Sequence, residues 1–243
     1  MDFFKARDII IFVMIIFQGV SKIYKGDDHE LVALDNVSFK INPKEFVSLV
    51  GKSGAGKSTI IKLLTGEEKP TKGRIIFGSY DVTKVKNNEL YQMRRHIGTI
   101  FQDFKLLPEK TAFENVAFAL EASGRPEGEI TELVPKALDM VGLSSKIKSF
   151  PREMSGGEKQ RVAIARAMIN NPDVIIADEP TGNLDPINSN DIIKLLLKIN
   201  ELGTTIILAT HNKDVINNLS KRVISLESGQ IIRDEEEGKY ILF

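Results

Sequence analysis

The segment Gly51–Ser58 constrains this chain more than any other feature. It reads GKSGAGKS and directly follows the continuously apolar run Phe46–Val50, which predicts a buried strand. Residues 58–65 then carry apolar side chains at helical spacing, and Gly66 is a typical residue to end that helix. A strand, a glycine-rich loop and a helix in this order form the phosphate-binding loop of α/β proteins. We therefore predict an α/β fold and a nucleoside triphosphate ligand.

Each part of the loop suits phosphate binding. The glycines bring backbone N–H groups close to phosphate oxygens, and the positive end of the following helix faces the same anion. Lys57, a predicted catalytic residue, has the length to reach the β- and γ-phosphates, and the Ser58 hydroxyl is a candidate Mg²⁺ ligand. A plain glycine turn before a helix is the alternative. The predicted ATP-binding residues of the loop are Gly51, Ser53, Gly54, Ala55, Gly56, Lys57, Ser58 and Thr59.

Two carboxylates follow a second apolar run. Val174–Ala177 predicts a strand buried on both faces, and Asp178 and Glu179 come directly after it. Ligands bind at the carboxyl edge of open α/β sheets, where such a strand delivers its last residues. Asp178 is therefore a candidate Mg²⁺ ligand through water, and Glu179 a candidate general base for the attacking water. The alternative is a pair of solvated acids at a strand end.

The segment Met154–Glu158 begins a helix with a second glycine-rich turn. Its serine is a typical N-cap, and the glutamate three residues later completes a capping box, so a well-capped helix without a ligand is the simple interpretation. The functional interpretation adds a γ-phosphate at the helix N-terminus. Because Lys57 already serves a phosphate site, this second site suits the nucleotide of another copy and predicts an ATP-dependent homodimer. The residues predicted to contact that nucleotide are Ser155, Gly156, Gly157 and Glu158.

Composition excludes several kinds of site. Lys plus Arg and Asp plus Glu each number 33, and the zero net charge is weak evidence against nucleic-acid binding. The chain has no Cys, which excludes disulfides and Cys-ligated metals, and its three His are scattered. The longest apolar run, Ile9–Phe17, is shorter than the roughly 20 residues of a membrane-spanning helix. We expect a cytoplasmic protein that reaches a membrane through a partner.

The rest of the chain alternates between strand and helix patterns. That order predicts a mainly parallel core sheet covered on both faces. Residues 111–148 lack strand signals and predict an inserted helical region. The further predicted strands are 37–41, 74–77, 97–101, 205–209 and 222–226, and the further predicted helices are 155–170 and 189–202.

This ordered set of motifs resembles the ATP-binding subunits of ABC (ATP-binding cassette) systems from about Met14 onward. The resemblance implies a Mg²⁺-dependent ATPase with one P-loop NTPase domain over residues 14–243. It also implies an antiparallel β subdomain and a helical subdomain at about residues 103–165. Roles implied for single residues are sensing of Mg²⁺ and the γ-phosphate by Gln102, adenine stacking by Tyr24 and a γ-phosphate switch at His211. The segment Gly182–Asp185 resembles the loop that connects the two nucleotide sites.

Three of these assignments have simpler alternatives. Gln102 could be a solvated strand-end residue, and His211 could cap the helix that follows it. Tyr24 could be a core aromatic, since aromatic residues in strands usually pack.

Two positions depart from the family pattern. Met154 stands where Leu is usual, which is a tolerated swap of similar volume. The turn at Pro43–Glu45 lacks the common middle glycine. We therefore expect a type I turn there, because a type II turn needs a positive φ at its third residue.

The segment after Gln102, Asp103–Leu107, resembles the FtsE branch of the family, the ATP-binding subunits of bacterial cell division. This implies an FtsX-like polytopic membrane protein that docks near Gln102–Leu107, control of cell-wall hydrolases, and a peripheral position on the inner face of the cell membrane. Phe104, Leu106 and Leu107 are candidates for the docking groove, or they pack the helical region's own core.

Three other functions remain as alternatives. The first is the ATPase subunit of a lipoprotein-release or macrolide-export transporter. The second is a chromosome-organising ATPase, but the interval between the two glycine motifs lacks the sustained heptads of long coiled coils. The third is an ATP sensor that does not hydrolyse, against which Glu179 and His211 argue.

Residues 1–13 form an N-terminal extension with two interpretations. Translation starts at Met14, where such subunits normally begin, or the extension is a short helix on the membrane surface. The second interpretation uses Phe3 and Phe4 with the run Ile9–Ile11 as its apolar face.

Overall fold

The structure is a computed structural model that describes residues 14–26 and 30–238; the N-terminal extension and its two interpretations lie outside the described residues. The helices are α1 (Lys57–Leu64), α2 (Asn87–Arg94), α3 (Ala112–Ala122), α4 (Glu127–Met140), α5 (Gly156–Met168), α6 (Pro186–Glu201) and α7 (Lys213–Leu219). The strands are β1 (Ile15–Lys25), β2 (Glu30–Ile41), β3 (Phe46–Val50), β4 (Lys72–Phe77), β5 (Tyr80–Asp81), β6 (Ile97–Phe101), β7 (Val174–Asp178), β8 (Thr205–Thr210), β9 (Arg222–Glu227) and β10 (Gln230–Glu235).

The described chain divides into two compact units. The first unit contains residues 14–94 and 205–238, and the second contains residues 95–204. Each unit has buried apolar residues of its own.

An antiparallel sheet in the first unit has the strand order β2-β1-β4-β5. The alternating residues 37–41 lie in β2, where Val37, Phe39 and Ile41 are buried and the residues between them are exposed. Phe39 pairs with Phe17 of β1, and the two rings stack with centroids 4.5 Å apart. The strand prediction is confirmed here because the buried alternate positions pack against the neighbouring strand.

The first unit also has a parallel arrangement centred on β3. Strand β3 pairs in parallel with β8 on one side and with β9 on the other, and β10 continues antiparallel beyond β9. All five residues of β3 and all six of β8 are buried, as expected for central strands covered on both faces. Val50 pairs with Thr210, so the loops that follow β3 and β8 leave the same edge.

In the second unit, β6 and β7 pair in parallel, and the rest is mainly helical. Helices α3 and α4 confirm the predicted helical character of residues 111–148. Helix α5 packs against α3, α4, α6 and β6. Its inward residues include Val162, Ile164 and Ala165, which are fully buried.

Several element boundaries differ from the predictions. Helix α6 begins at Pro186, three residues before the predicted start, because Asp185 caps it through the N–H groups of Ile187 and Asn188. Proline at the first helical position suits this arrangement. The elements for which the sequence predicted no bounds are β1, β5, α2, α7 and β10.

The prediction of a type I turn before β3 is wrong. Lys44 has φ +64°, and the Glu45 N–H donates to the Asn42 carbonyl at 3.3 Å, which fits a type II turn with proline second. Two further contacts hold this conformation. The Lys44 N–H donates to Thr205 Oγ1 at 2.8 Å, and the Asn42 N–H donates to the Glu45 carboxylate at 2.7 Å. These bonds offset the strain that a glycine would avoid.

We predict that Lys44→Gly raises the free energy of unfolding by up to about 1 kcal/mol. A left-handed backbone costs a side-chain-bearing residue about 1–2 kcal/mol, and the extra chain entropy of glycine offsets roughly 0.5–1 kcal/mol of that gain. Urea unfolding measures the change. The matched control is Lys194→Gly at an exposed position of helix α6, which we expect to lower the free energy of unfolding by about 1 kcal/mol. A loss at position 44 equal to that of the control would contradict the turn assignment.

Candidate nucleotide-binding and catalytic site

The phosphate loop joins β3 to α1 and requires glycine at Gly56. This residue has φ +109°, and a Cβ there would lie 2.7 Å from Leu34 Cδ2 and 2.8 Å from the Ala33 carbonyl oxygen. Both neighbours belong to β2, so the antiparallel sheet packs closely against the loop at this residue. A side chain at this position would push the loop out of shape.

Lys57 is buried at the start of α1, with 8% of its surface exposed. Its Nζ donates to the Gly51 carbonyl at 2.7 Å and to the Lys52 carbonyl at 3.2 Å, so the ammonium lies inside the curve of the loop. Helix α1 has no side-chain N-cap and no acidic residue in its first turn. Its N-terminus therefore presents the positive end of the helix dipole next to an ammonium, which favours an anion.

His211 and Tyr24 belong to the same unit as the loop. His211 follows Thr210, the residue paired with Val50, so it leaves β8 at the edge where the phosphate loop begins. The alternative role of His211 as a helix cap is wrong, because Asn212 caps α7 through two backbone N–H groups. Tyr24 is half-buried rather than part of the core, and Lys22 Nζ lies 4.8 Å from its ring centroid.

In the second unit, Gln102 and Glu179 leave neighbouring strands side by side. Phe101, the last residue of β6, pairs with Asp178, the last residue of β7. Glu179 has φ +48°, an unfavourable conformation for a glutamate. Strained backbone of this kind concentrates at functional sites.

Gln102 is exposed but not merely solvated. Its Nε2 donates to Asn183 Oδ1 at 3.1 Å, and Asn183 Nδ2 donates to the Gln102 carbonyl at 3.0 Å. This reciprocal pair joins the segment after β6 to the loop Gly182–Asp185.

The capping box of α5 is confirmed. The Glu158 N–H donates to Ser155 Oγ at 3.2 Å, and the Ser155 N–H donates to the Glu158 carboxylate at 2.8 Å. The latter bond lowers the pKa of Glu158. Gly157 is needed for a close approach to α6, because a Cβ there would lie 2.3 Å from Asn188 Oδ1.

The sequence predictions missed Gln160 and Arg166, which extend from α5 to the loops. Gln160 is fully buried, and its Nε2 donates to the Pro180 carbonyl at 2.8 Å, one residue after Glu179. Arg166 donates to two carbonyls of the segment after Gln102. The available signal was a polar residue on an otherwise apolar helix stripe, since Gln160 lies one turn before Ile164 and two before Met168.

The residues present fit ATP and Mg²⁺ by their chemistry. The loop offers backbone N–H groups and an ammonium to phosphate, and a Cβ added at Gly54 would have no heavy atom within 4 Å other than those of Gly54 and its chain neighbours. Ser58, Gln102 and Asp178 supply hydroxyl, amide and carboxylate oxygens, the donor atoms that Mg²⁺ prefers. The described residues contain no cluster of three or more His, Cys, Asp or Glu that could hold a metal without the nucleotide. Within residues 14–26 and 30–238, no helix is long and apolar enough to cross a membrane.

Comparison with known proteins identifies the family of this chain. The model of the ABC transporter family matches residues 34–182. The cell division ATP-binding protein FtsE of Bacillus subtilis is 52% identical, with 91% of this chain and 97% of that protein covered. FtsE of Streptococcus pneumoniae D39 is 50% identical, covering 90% of this chain and 95% of that protein.

A solved structure confirms the predicted fold. It is the dimeric, post-hydrolysis ATP-binding cassette MJ0796 bound to ADP and Pi, which is 37% identical with a TM-score of 0.83. The match covers 93% of this chain and 100% of that one. The chain belongs to the ABC transporter family of ATPases and, within it, to the FtsE group of cell division ATP-binding proteins.

Proposed function

We propose that this chain is the Mg²⁺-dependent ATPase of a cell-division complex with an FtsX-like membrane protein. In this proposal, ATP-driven dimerisation controls cell-wall hydrolysis. The observation that carries the catalytic part is the placement of Glu179. It leaves β7 in a left-handed conformation beside Gln102, and Gln160 of α5 holds the next residue.

In the proposed reaction, Lys57 and the backbone N–H groups of its loop bind the β- and γ-phosphates. Glu179 accepts a proton from the water that attacks the γ-phosphate, and the bond from the γ-phosphorus to the β–γ bridging oxygen breaks to release ADP and phosphate. Gln102 and His211 contact the γ-phosphate and orient that water, and Tyr24 stacks on adenine. The left-handed backbone at Glu179 sets the direction in which its side chain leaves the main chain, which limits the reorganisation needed when the water binds.

Mg²⁺ would be held by the Ser58 hydroxyl, the Gln102 amide oxygen and, through water, Asp178. The ion neutralises charge on the phosphate oxygens when it is bound.

The homodimer is supported by the N-terminus of α5. Ser155 and Glu158 satisfy one N–H each in the capping box, and residues 156 and 157 carry no side chain that would block an approaching phosphate. Such an end suits a γ-phosphate of a second copy. MJ0796, which shares this fold, is dimeric in its complex with ADP and Pi.

The membrane partner is proposed to dock near Gln102–Leu107, which places the chain on the inner face of the cell membrane. Asp103 and Lys105 are exposed, while Phe104, Leu106 and Leu107 are half-buried. The apolar side chains therefore contribute to the unit's own packing, and the charged ones mark the accessible part of the segment.

Lys57→Ala should lower ATP affinity by about 10- to 100-fold, because a hydrogen bond to a charged group is worth about 1.5–3 kcal/mol. Calorimetric titration with ATP and Mg²⁺ measures this. Lys52→Ala is the matched control, since this exposed neighbour contributes only its backbone carbonyl to the described contacts of the loop. Equal losses in both variants would contradict the assignment.

Glu179→Gln should keep ATP binding and lower the rate of phosphate release by about 10²- to 10⁴-fold, the usual contribution of a general base. The variant should also accumulate as an ATP-bound dimer, which size-exclusion chromatography with ATP detects. Glu201→Gln, at the exposed end of α6, is the control and should behave as the unsubstituted chain. A Glu179→Gln variant that stays monomeric with ATP would contradict the dimer mechanism for the isolated protein.

Asp103→Lys should reduce the amount of membrane protein that co-purifies with the chain from detergent-solubilised membranes. The reversed charge would oppose a complementary group on the partner. Asp191→Lys, the same charge reversal at an exposed position of α6, is the control. Unchanged co-purification would contradict docking at this segment, and mass spectrometry of the co-purified protein distinguishes an FtsX-like partner from a transporter permease.

A further inference from the structure

Arg166, near the end of α5, binds the segment that follows Gln102 through two hydrogen bonds. Its Nη1 donates to the Lys105 carbonyl at 2.7 Å, and its Nη2 donates to the Phe104 carbonyl at 3.0 Å. One planar guanidinium thus binds two consecutive backbone carbonyls, a geometry that matches its fork of donors.

The two residues whose carbonyls accept these hydrogen bonds have an unfavourable backbone conformation. Phe104 has φ +59° and Lys105 has φ +45°. Within residues 14–26 and 30–238, no other two consecutive non-glycine residues both have positive φ. Bulky side chains avoid this region, so the conformation persists only where surrounding contacts hold it.

The strained pair lies between two anchored points. On one side, Gln102 is bonded in both directions to Asn183. On the other side, the Leu107 N–H donates to Asn115 Oδ1 at 2.8 Å, and Asn115 Nδ2 returns a bond to the Leu107 carbonyl at 3.1 Å. Between these two bonded ends, the conformation of residues 104 and 105 sets the path of the chain that leads away from Gln102.

We propose that Arg166 is a positioning residue for ATP hydrolysis, which holds Phe104 and Lys105 in their left-handed conformation and thereby sets the position of Gln102. The inference rests on the proposed function of Gln102. It makes α5 a mechanical link between the glycine turn and the segment after Gln102, because the helix carries Ser155–Gly157 at its start and Arg166 near its end. A shift of α5 when a second copy binds is passed to Gln102 through these two hydrogen bonds.

The environment of Arg166 suits this role. Its two bonds go to neutral carbonyls, and burial lowers the pKa of its guanidinium, which nevertheless stays charged. A charged donor makes stronger hydrogen bonds than a neutral one. A lysine ammonium lacks the planar fork and would not hold both carbonyls in the same way.

The test measures phosphate release from MgATP by the full chain. Arg166→Ala should lower kcat by about tenfold or more with little change in KM, because the loss concerns alignment rather than binding. Arg166→Lys should give an intermediate kcat.

The discriminating variant is Arg166→Ala combined with Lys105→Gly. Glycine adopts positive φ without strain, so residue 105 keeps its conformation more easily without the hydrogen bonds from Arg166. The kcat of the double variant should therefore be at least about threefold higher than that of Arg166→Ala alone. The matched control is Arg166→Ala with Glu109→Gly, at an exposed residue of the same connection that does not have positive φ. A merely structural role of Arg166 in packing α5 would not be rescued by glycine at position 105.

A wild-type kcat for Arg166→Ala, or equal kcat values for the two double variants, would overturn the inference. If Arg166→Ala does not fold, Arg166→Lys with and without Lys105→Gly gives the same comparison. An unsubstituted chain that releases no phosphate would overturn the proposed function together with the inference. An active chain without rescue would overturn the inference alone.

Discussion

Helix α5 is the element on which the loops of the second unit depend. Its capped N-terminus presents the glycine turn, Gln160 in its second turn binds the carbonyl after Glu179, and Arg166 near its end binds the segment after Gln102. The helix is itself fixed by buried apolar contacts to α3, α4, α6 and β6. Without these contacts the loops would not keep a single conformation, because ordering exposed backbone costs conformational entropy.

Three residues with left-handed backbone lie in the loops that follow β6 and β7. Glu179, Phe104 and Lys105 all have positive φ, and each lies within four residues of a strand end. The same feature at Lys44 lies in a turn outside the candidate site, where hydrogen bonds to neighbouring residues hold it. Strain by itself therefore does not identify a catalytic residue. The proposed role of Glu179 has a second support, since the residue also follows a buried strand beside Gln102.

Local patterns were sufficient to predict the phosphate loop, the buried strands β3 and β7 and the capping box at Ser155, because each depends on residues close together in sequence. Gln160 and Arg166 were missed because their partners lie 20 and about 60 residues away. The turn at Lys44 was misassigned for a related reason. Its conformation is stabilised by Thr205, 161 residues later, and such a contact overrides local propensity.

In the proposed dimer, α5 serves two nucleotides. Its N-terminus contacts the γ-phosphate bound to the second copy. Arg166, near its other end, sets the position of Gln102, and Gln102 contacts the nucleotide of its own chain. A rigid helix transmits a displacement along its length because its buried apolar residues resist independent movement of the two ends. Binding at one site thereby changes alignment at the other, provided that the segment 103–107 has two arrangements of different stability. Phe104 and Lys105 both have positive φ, and Arg166 donates to the carbonyls of both, so loss of these two hydrogen bonds weakens the left-handed conformation. The exposed charges of Asp103 and Lys105 lie in the same segment, so a membrane partner docked there would favour one arrangement over the other.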